Sequence, residues 1–207
     1  MDIAIIGAGN VGRALADAFV RAGHSVAITR RQDAQDVAKE TGARAVDSNQ
    51  EAADAAPVVV LAVPFDGVET ILAELRGHLD DKVLVDVTNR VDFENPASTM
   101  DGTSNAELIQ LRAPDAHVVK AFNTVFAARQ VEPVVDGTQL DGFVAGDHQE
   151  SKDRILGLVG DVGFRPIDAG ELAMARALES MAVLHMVLQV RHGWTWQTGW
   201  KLVGPTS

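Results

Sequence analysis

Apolar runs and helical stripes alternate through the first half of the chain. Ile3 to Ile6 is a continuous apolar run, the pattern of a strand covered on both faces. Asn10 to Ala22 carries Val11, Leu15, Ala18, Phe19 and Ala22 at helical spacing, and Gly23 supplies a C-terminal stop. Ser25 to Thr29 reads as a second strand. Asp33 to Thr41 reads as a polar helix with Asp33 as N-cap. Ala43 to Val46 is a short third strand, Asn49 to Ala55 a brief helix, and Pro57 to Val63 a strongly apolar fourth strand. Val68, Ile71, Leu72 and Leu75 form the stripe of a helix over 65–78, and Lys82 to Val87 is a fifth strand. Strand–helix alternation of this kind predicts right-handed crossovers and a doubly wound nucleotide-binding sheet.

The second half is less regular. Residues 91–105 are polar, with Pro96 and Gly102, and read as a long loop. A short helix at 106–111 precedes a strand from His117 to Phe122. A connection containing Pro133 and Gly137 leads to a strand from Gly142 to Ala145. A helix at 150–162, a strand from Arg165 to Asp168 and a long helix at 172–190 follow, then a tail with Trp194, Trp196 and Trp200. The expected fold is α/β: a Rossmann-like, doubly wound, mostly parallel sheet over residues 1–168. Residues 169–207 form a helix and tail packed on it, not an independent domain.

Composition narrows the partners. At 207 residues, with 46% hydrophobic and 23% charged positions, the chain can bury a large core. Its net charge of −11 disfavours nucleic acid and anionic membranes. It also requires that positive charge be concentrated wherever an anionic cofactor binds. No cysteine is present, so disulfides, thiolate nucleophiles and Cys-held metals are excluded. The longest apolar run is too short to span a bilayer, and the first strand begins at once; a cytoplasmic protein is expected.

The first strand runs directly into Gly7-Ala8-Gly9-Asn10-Val11-Gly12. Gly7 allows a tight turn, Gly9 lets a pyrophosphate approach the backbone, and Gly12 lets the helix pack on the strand. The helix N-terminus then offers N–H groups to phosphate. A lone GxGxxG is weak; after a strand and before an amphipathic helix it points to a dinucleotide. NAD-specific proteins place an acidic residue near the end of the second strand. Here Thr29-Arg30-Arg31 stands there, which could bind a 2′-phosphate in a guanidinium fork, so the expected cofactor is NADP. Ala62-Val63-Pro64-Phe65 ends the fourth strand beside the expected cofactor.

Asp86-Val-Thr-Asn89 ends the fifth strand and Lys120-Ala-Phe-Asn-Thr-Val-Phe-Ala127 the sixth. Further on stand Gly146-Asp147, Glu150-Ser-Lys152, Asp168-Ala-Gly-Glu-Leu172 and Ala175-Arg-Ala-Leu-Glu179. Across essentially its whole length this series resembles the F420-dependent NADP oxidoreductase family. It is also similar to the cytosolic reductase domain of the transmembrane metalloreductases. The resemblance implies hydride transfer between NADPH and a deazaflavin or flavin ring, a small-molecule redox co-substrate. The nicotinamide is then expected along Ala62 to Phe65 and Asn89. The second ring is expected near Asn123, Thr124, Val125, Ala127 and the turn Ala169-Gly170. Such chemistry demands positioning more than acid–base groups, so no catalytic residue and no metal site are expected. The F420 reductase pattern has histidine where Asn123 stands. Lys120-Ala-Phe-Asn123 follows the flavin-using metalloreductases instead, while Ala127-Ala-Arg129 and Glu150-Ser-Lys152 follow the F420 enzymes. The second ring is thus open between deazaflavin and flavin.

Plainer roles compete at several positions. Lys120, within an apolar strand, reads as a partnered structural lysine, and Asp86 as an acceptor for backbone N–H groups. His185 and His192 could share a helix face, but no carboxylate completes a metal site. Met174, Leu178, Met181, Leu184 and Leu188 read as core packing or a homodimer interface, and the tryptophan tail as a pocket cap or a core cover. Alternative functions are a pyrroline-carboxylate-reductase-like or hydroxyacid-dehydrogenase-like enzyme and a non-catalytic NADP sensor. Both enzymes need a substantial helical domain after the Rossmann half, whereas about 40 residues follow Asp168.

Overall fold

A computed structural model describes residues 1–29, 34–99 and 102–205. Arg30, Arg31 and the expected N-cap Asp33 lie outside the described residues. In chain order the first elements are β1 (Asp2–Ile6), α1 (Asn10–Arg21), β2 (Ser25–Thr29), α2 (Ala34–Thr41), β3 (Arg44–Val46), α3 (Asn49–Asp54), β4 (Val58–Leu61), α4 (Val68–Glu74) and β5 (Val83–Asp86). Then come α5 (Asn105–Arg112), β6 (His117–Ala121), α6 (Ala127–Gln130), β7 (Val134–Val135), β8 (Thr138–Gln139), β9 (Asp141–Gly146), α7 (Gln149–Asp161), β10 (Arg165–Gly170) and α8 (Ala175–His192).

Eight strands form one sheet in the order β10-β9-β6-β5-β4-β1-β2-β3, and β7 and β8 make a separate hairpin. From β3 to β6 every pairing is parallel. Side chains alternate across the sheet. Ile3, Ile5, Val58, Val60, Val83 and Val85 join Leu15, Phe19 and Ile155 on one face, while Ala4, Ile6, Val59, Leu61 and Leu84 join Ile71, Leu72 and Ile109 on the other. Both faces are buried, which explains the unbroken apolar runs.

The chain reverses after β6. β9 pairs with it antiparallel, Val119 opposite Gly146 and Ala121 opposite Val144. Between them stand only the four-residue α6 and the small hairpin, with no helix long enough to carry the chain back across the sheet. An antiparallel neighbour needs no such crossover. α7 then makes the return that sets β10 parallel to β9. The expected helix over 65–78 is shorter, a 3-10 turn Phe65–Gly67 followed by α4.

Candidate functional site

The strand order around β1 places a crevice where α1 and the later helices diverge, at the carboxyl ends of β1 and β4. Its floor is the glycine turn. Gly7 has φ +113°, and a Cβ there would stand 2.4 Å from the Ala62 carbonyl oxygen. A Cβ on Gly12 would stand 2.0 Å from the carbonyl oxygen of Gly7. These two glycines therefore close the turn on itself and on β4. Gly9 is different: nothing lies within 4 Å of its missing Cβ. It is the N-cap of α1, with no side-chain cap bond and no acidic residue in the first turn. The N–H groups and positive dipole end of α1 are thus left uncapped, with no acidic residue in the first turn of α1 itself, a fit for a pyrophosphate. Ala8 packs on the core, Asn10 is exposed, and Val11 faces the cavity described below.

Thr29, expected to face a 2′-phosphate, also has a structural bond. It is buried, and its Oγ1 accepts from the Gly7 N–H at 3.2 Å, so it braces the glycine turn. Ala62 continues the β1–β4 pairing by one bond, its N–H donating to the Ile6 carbonyl at 2.9 Å. Pro64 then turns the chain outward, and the Arg90 guanidinium lies 5.1 Å over the Phe65 ring. Val63 and Phe65 are half-buried against the core.

The second set converges on the adjacent strand ends. A cavity of about 190 Å³ is lined by Val11, Val87, Asn89, residues 122–127, Ala182, His185, Met186 and Trp196. Asn123, Thr124, Val125 and Ala127 are thus gathered in one wall. The Asn89 Nδ2 donates to the Asn123 carbonyl at 2.8 Å, and the Asn123 Nδ2 to Asn89 Oδ1 at 3.0 Å and to the Leu178 carbonyl at 3.1 Å. Phe122, whose ring packs edge-on against Phe19, has φ +60°, an unusual conformation for a large side chain. Buried Gln130 fixes this bend by donating to the carbonyls of Phe122 and Val125.

Ala169 and Gly170 do not line this cavity. Because β9 reverses, β10 also runs against β6, with Gly170 beside Ala145, whose partner on β6 is Lys120. The pair thus lies level with Ala121 and Lys120 but two strands away from β6, with Ala169 packed against the Phe143, Ala145 and Leu178 cluster. There the Gly170 carbonyl accepts from Lys152 Nζ at 3.3 Å.

Beneath the cavity lies a buried charged cluster. Lys120, 0% exposed, donates to Asp86 Oδ2 at 2.8 Å, Glu179 Oε1 at 2.8 Å and the Thr88 carbonyl at 2.6 Å. Asp86 Oδ1 accepts from the Thr88 N–H, and both Glu179 oxygens accept from the Asn105 N–H. The lysine is structural, and Asp86 caps its own strand end. Glu179 ties α8 to β5, β6 and the start of α5, a role its place in the sequence did not suggest.

The tail has two jobs. Trp196 closes the cavity edge-on to Phe126, with 5.2 Å between ring centroids, whereas Trp200 packs with Phe143, Ala145 and Leu178. Gln189 anchors the tail, its Oε1 accepting from the Trp196 N–H and its Nε2 donating to Thr198 Oγ1. Asp141 holds the far end through Arg165, Lys201 and the Leu202 N–H. Burial pushes that carboxyl up, but those three donors outweigh it and hold it below the usual range. His185 lines the cavity with Nε2 at 2.7 Å from Thr198 Oγ1 and Nδ1 at 3.4 Å from the Thr124 carbonyl. Burial lowers its pKa, which keeps the ring neutral. His185, Met186 and Trp196 were not read as site residues, since only the packing of α8 and the tail brings them there. Among the described residues no cluster could hold a metal ion, and no helix is long and apolar enough to cross a membrane.

Comparison with known proteins adds four findings. Residues 2–90 match the family described as NADP oxidoreductase, coenzyme F420-dependent. The F420-dependent NADP reductase of Methanothermobacter thermautotrophicus is 32% identical, covering 93% of this chain and 90% of its own. The metalloreductase STEAP3 of Rattus norvegicus is also 32% identical over 86% of this chain, which spans only 36% of that protein. A crystal structure of an Arthrobacter sp. FB24 protein, provisionally named an F420-dependent NADP reductase, superposes with a TM-score of 0.88 at 28% identity, covering 99% of this chain and 100% of that one.

Proposed function

The chain belongs to the family of F420-dependent NADP reductases, NADP-dependent oxidoreductases, and we propose from that membership that it moves a hydride between NADP(H) and a deazaflavin or flavin ring. One observation carries the proposal. An open, uncapped helix N-terminus and a ring-scale cavity meet at neighbouring strand ends, with Val11 of α1 lining both. At about 190 Å³ the cavity is smaller than the roughly 300–1,000 Å³ of a whole ligand site. It suits a ring whose remaining substituents stay outside.

When bound, NADPH supplies the chemistry: one hydrogen with two electrons passes to the ring, which takes a balancing proton from solvent. The protein's task is placement. The α1 N-terminus holds the pyrophosphate, and the edge from Ala62 to Phe65 and Asn89 supports the nicotinamide. Asn123 to Ala127, with His185 and Trp196, confine the second ring. Apolar walls keep water from the transfer path. The preference for NADP rests on Arg30 and Arg31. Arg30→Glu is expected to weaken NADPH far more than NADH, and equal losses in a binding titration would remove the assignment. The function is tested by following NADPH oxidation with F420, FMN, FAD and riboflavin in parallel. Turnover with at least one supports it; turnover with none contradicts it.

A further inference from the structure

Within the cavity, taken as the ring pocket just proposed, one atom has no partner. Asn123 is 5% exposed, and its Oδ1 is buried without a hydrogen bond. The amide cannot turn to relieve this. Its Nδ2 faces the Leu178 carbonyl, which can only accept, so a flip would set oxygen against oxygen. Asn89 is fixed as well, because its own Nδ2 donates to the Asn123 carbonyl. With both donors committed, Asn123 offers the pocket a single acceptor. Val11, Val87, Val125 and Met186 have no side-chain donor, and neither the Thr124 hydroxyl nor the Trp196 indole N–H, which also line the cavity, bonds this oxygen. His185 has both ring nitrogens engaged elsewhere. A buried acceptor left without a donor is costly, and a molecule that enters the pocket can supply the missing donor.

We infer that Asn123 Oδ1 is a specificity determinant that accepts from a ring-borne N–H of the bound molecule. Two groups in the proposed reaction carry such chemistry: the imide N–H of a flavin or deazaflavin, and the carboxamide NH₂ of nicotinamide. A quinone, with acceptors only, leaves Oδ1 unmet and is disfavoured.

The test compares two ligand pairs by equilibrium dialysis: riboflavin with 3-methylriboflavin, which lacks the imide N–H, and NADP⁺ with its 3-acetylpyridine analogue, which lacks the amide NH₂. The expected result is a preference of roughly 5–150-fold for the donor-bearing member of one pair, the fold-change of an unmet buried acceptor. Which pair shows it identifies the source. In Asn123→Leu, equal in bulk but without an acceptor, that preference is expected to vanish. A preference that persists in this variant is steric and overturns the inference, as does equal binding within both pairs. Should Asn123→Leu fail to fold, the imide proton of ¹⁵N-labelled riboflavin and the amide protons of ¹⁵N-labelled NADP⁺ are read by NMR in the unaltered protein. A downfield, exchange-protected signal from either supports the bond, and its absence from both overturns it. Failure of riboflavin and F420 to bind at all removes the ring-pocket reading itself, a separate outcome.

Discussion

The two halves of the crevice are built by opposite means. The glycine turn is shaped by missing atoms: Gly7 and Gly12 let backbone touch backbone, and Gly9 leaves a space. The neighbouring pocket is shaped by bonds, with Asn89, Asn123, Lys120, Glu179 and Gln130 all buried or half-buried and tied across strands and helices. The first half fails when something is added, the second when something is taken away. The glycines of the first stand within six consecutive residues, closed by Ala62 and Thr29; the bonded residues of the second draw on positions 86 to 179.

The largest effect is expected at the bonded half. Lys120→Met leaves Asp86 and Glu179 buried together without their cation, and stability should fall by about 3–5 kcal/mol. Urea denaturation measures this, and a loss within error would show that the cluster does not hold α8 in place. At the glycine half, Gly9→Val should keep the fold, since the new side chain enters open space, while abolishing NADP binding. Gly12→Ala instead meets a backbone oxygen and should cost about 1–3 kcal/mol of stability. If both variants lost stability equally, the division of roles among the glycines would be wrong. Trp196→Ala removes a wall without touching the glycine turn. Riboflavin should bind roughly 2–12-fold more weakly, the worth of one aromatic contact, with NADP affinity unchanged. A matching loss for both ligands would erase the distinction between the halves.

A smaller effect concerns how α5 starts. Arg176 donates to Glu107, which also closes the capping box with Ser104, and these bonds hold the Glu107 carboxyl at about 2 against an ordinary 4.5. A carboxyl depressed by folding contributes stability above its unfolded value, and that contribution is lost as pH falls from about 4.5 toward about 2. Arg176 is 56% exposed, so Arg176→Gln should cost less than about 1 kcal/mol at neutral pH. The same variant should flatten the acid-side slope of stability, and an unchanged slope would detach this pair from acid sensitivity.

The sequence was most readable where structure is local. The βαβ run and the Gly7–Gly12 turn follow from apolar periodicity and glycine spacing, both properties of adjacent residues. Asn123 was legible from its place at a strand end. Two kinds of information were not. The reversal at β9 depends on what Phe122 to Leu140 fail to contain, and it leaves Ala169 and Gly170 two strands from β6 and outside the cavity lining. His185, Met186 and Trp196 reach the cavity only because Glu179 and Asp141 pin α8 and the tail through contacts 59 to 74 residues long in sequence, with Gln189 adding shorter ones.

The central claim is that the two halves hold two rings face to face. It is tested most directly by giving the protein NADPH deuterated at the transferable position of the nicotinamide, with F420 as acceptor, in ordinary water. Direct transfer predicts that the deuterium is recovered on carbon in the reduced deazaflavin. Deuterium released to solvent, or no reduction of F420, FMN, FAD or riboflavin under any condition in which NADPH binds, would contradict it.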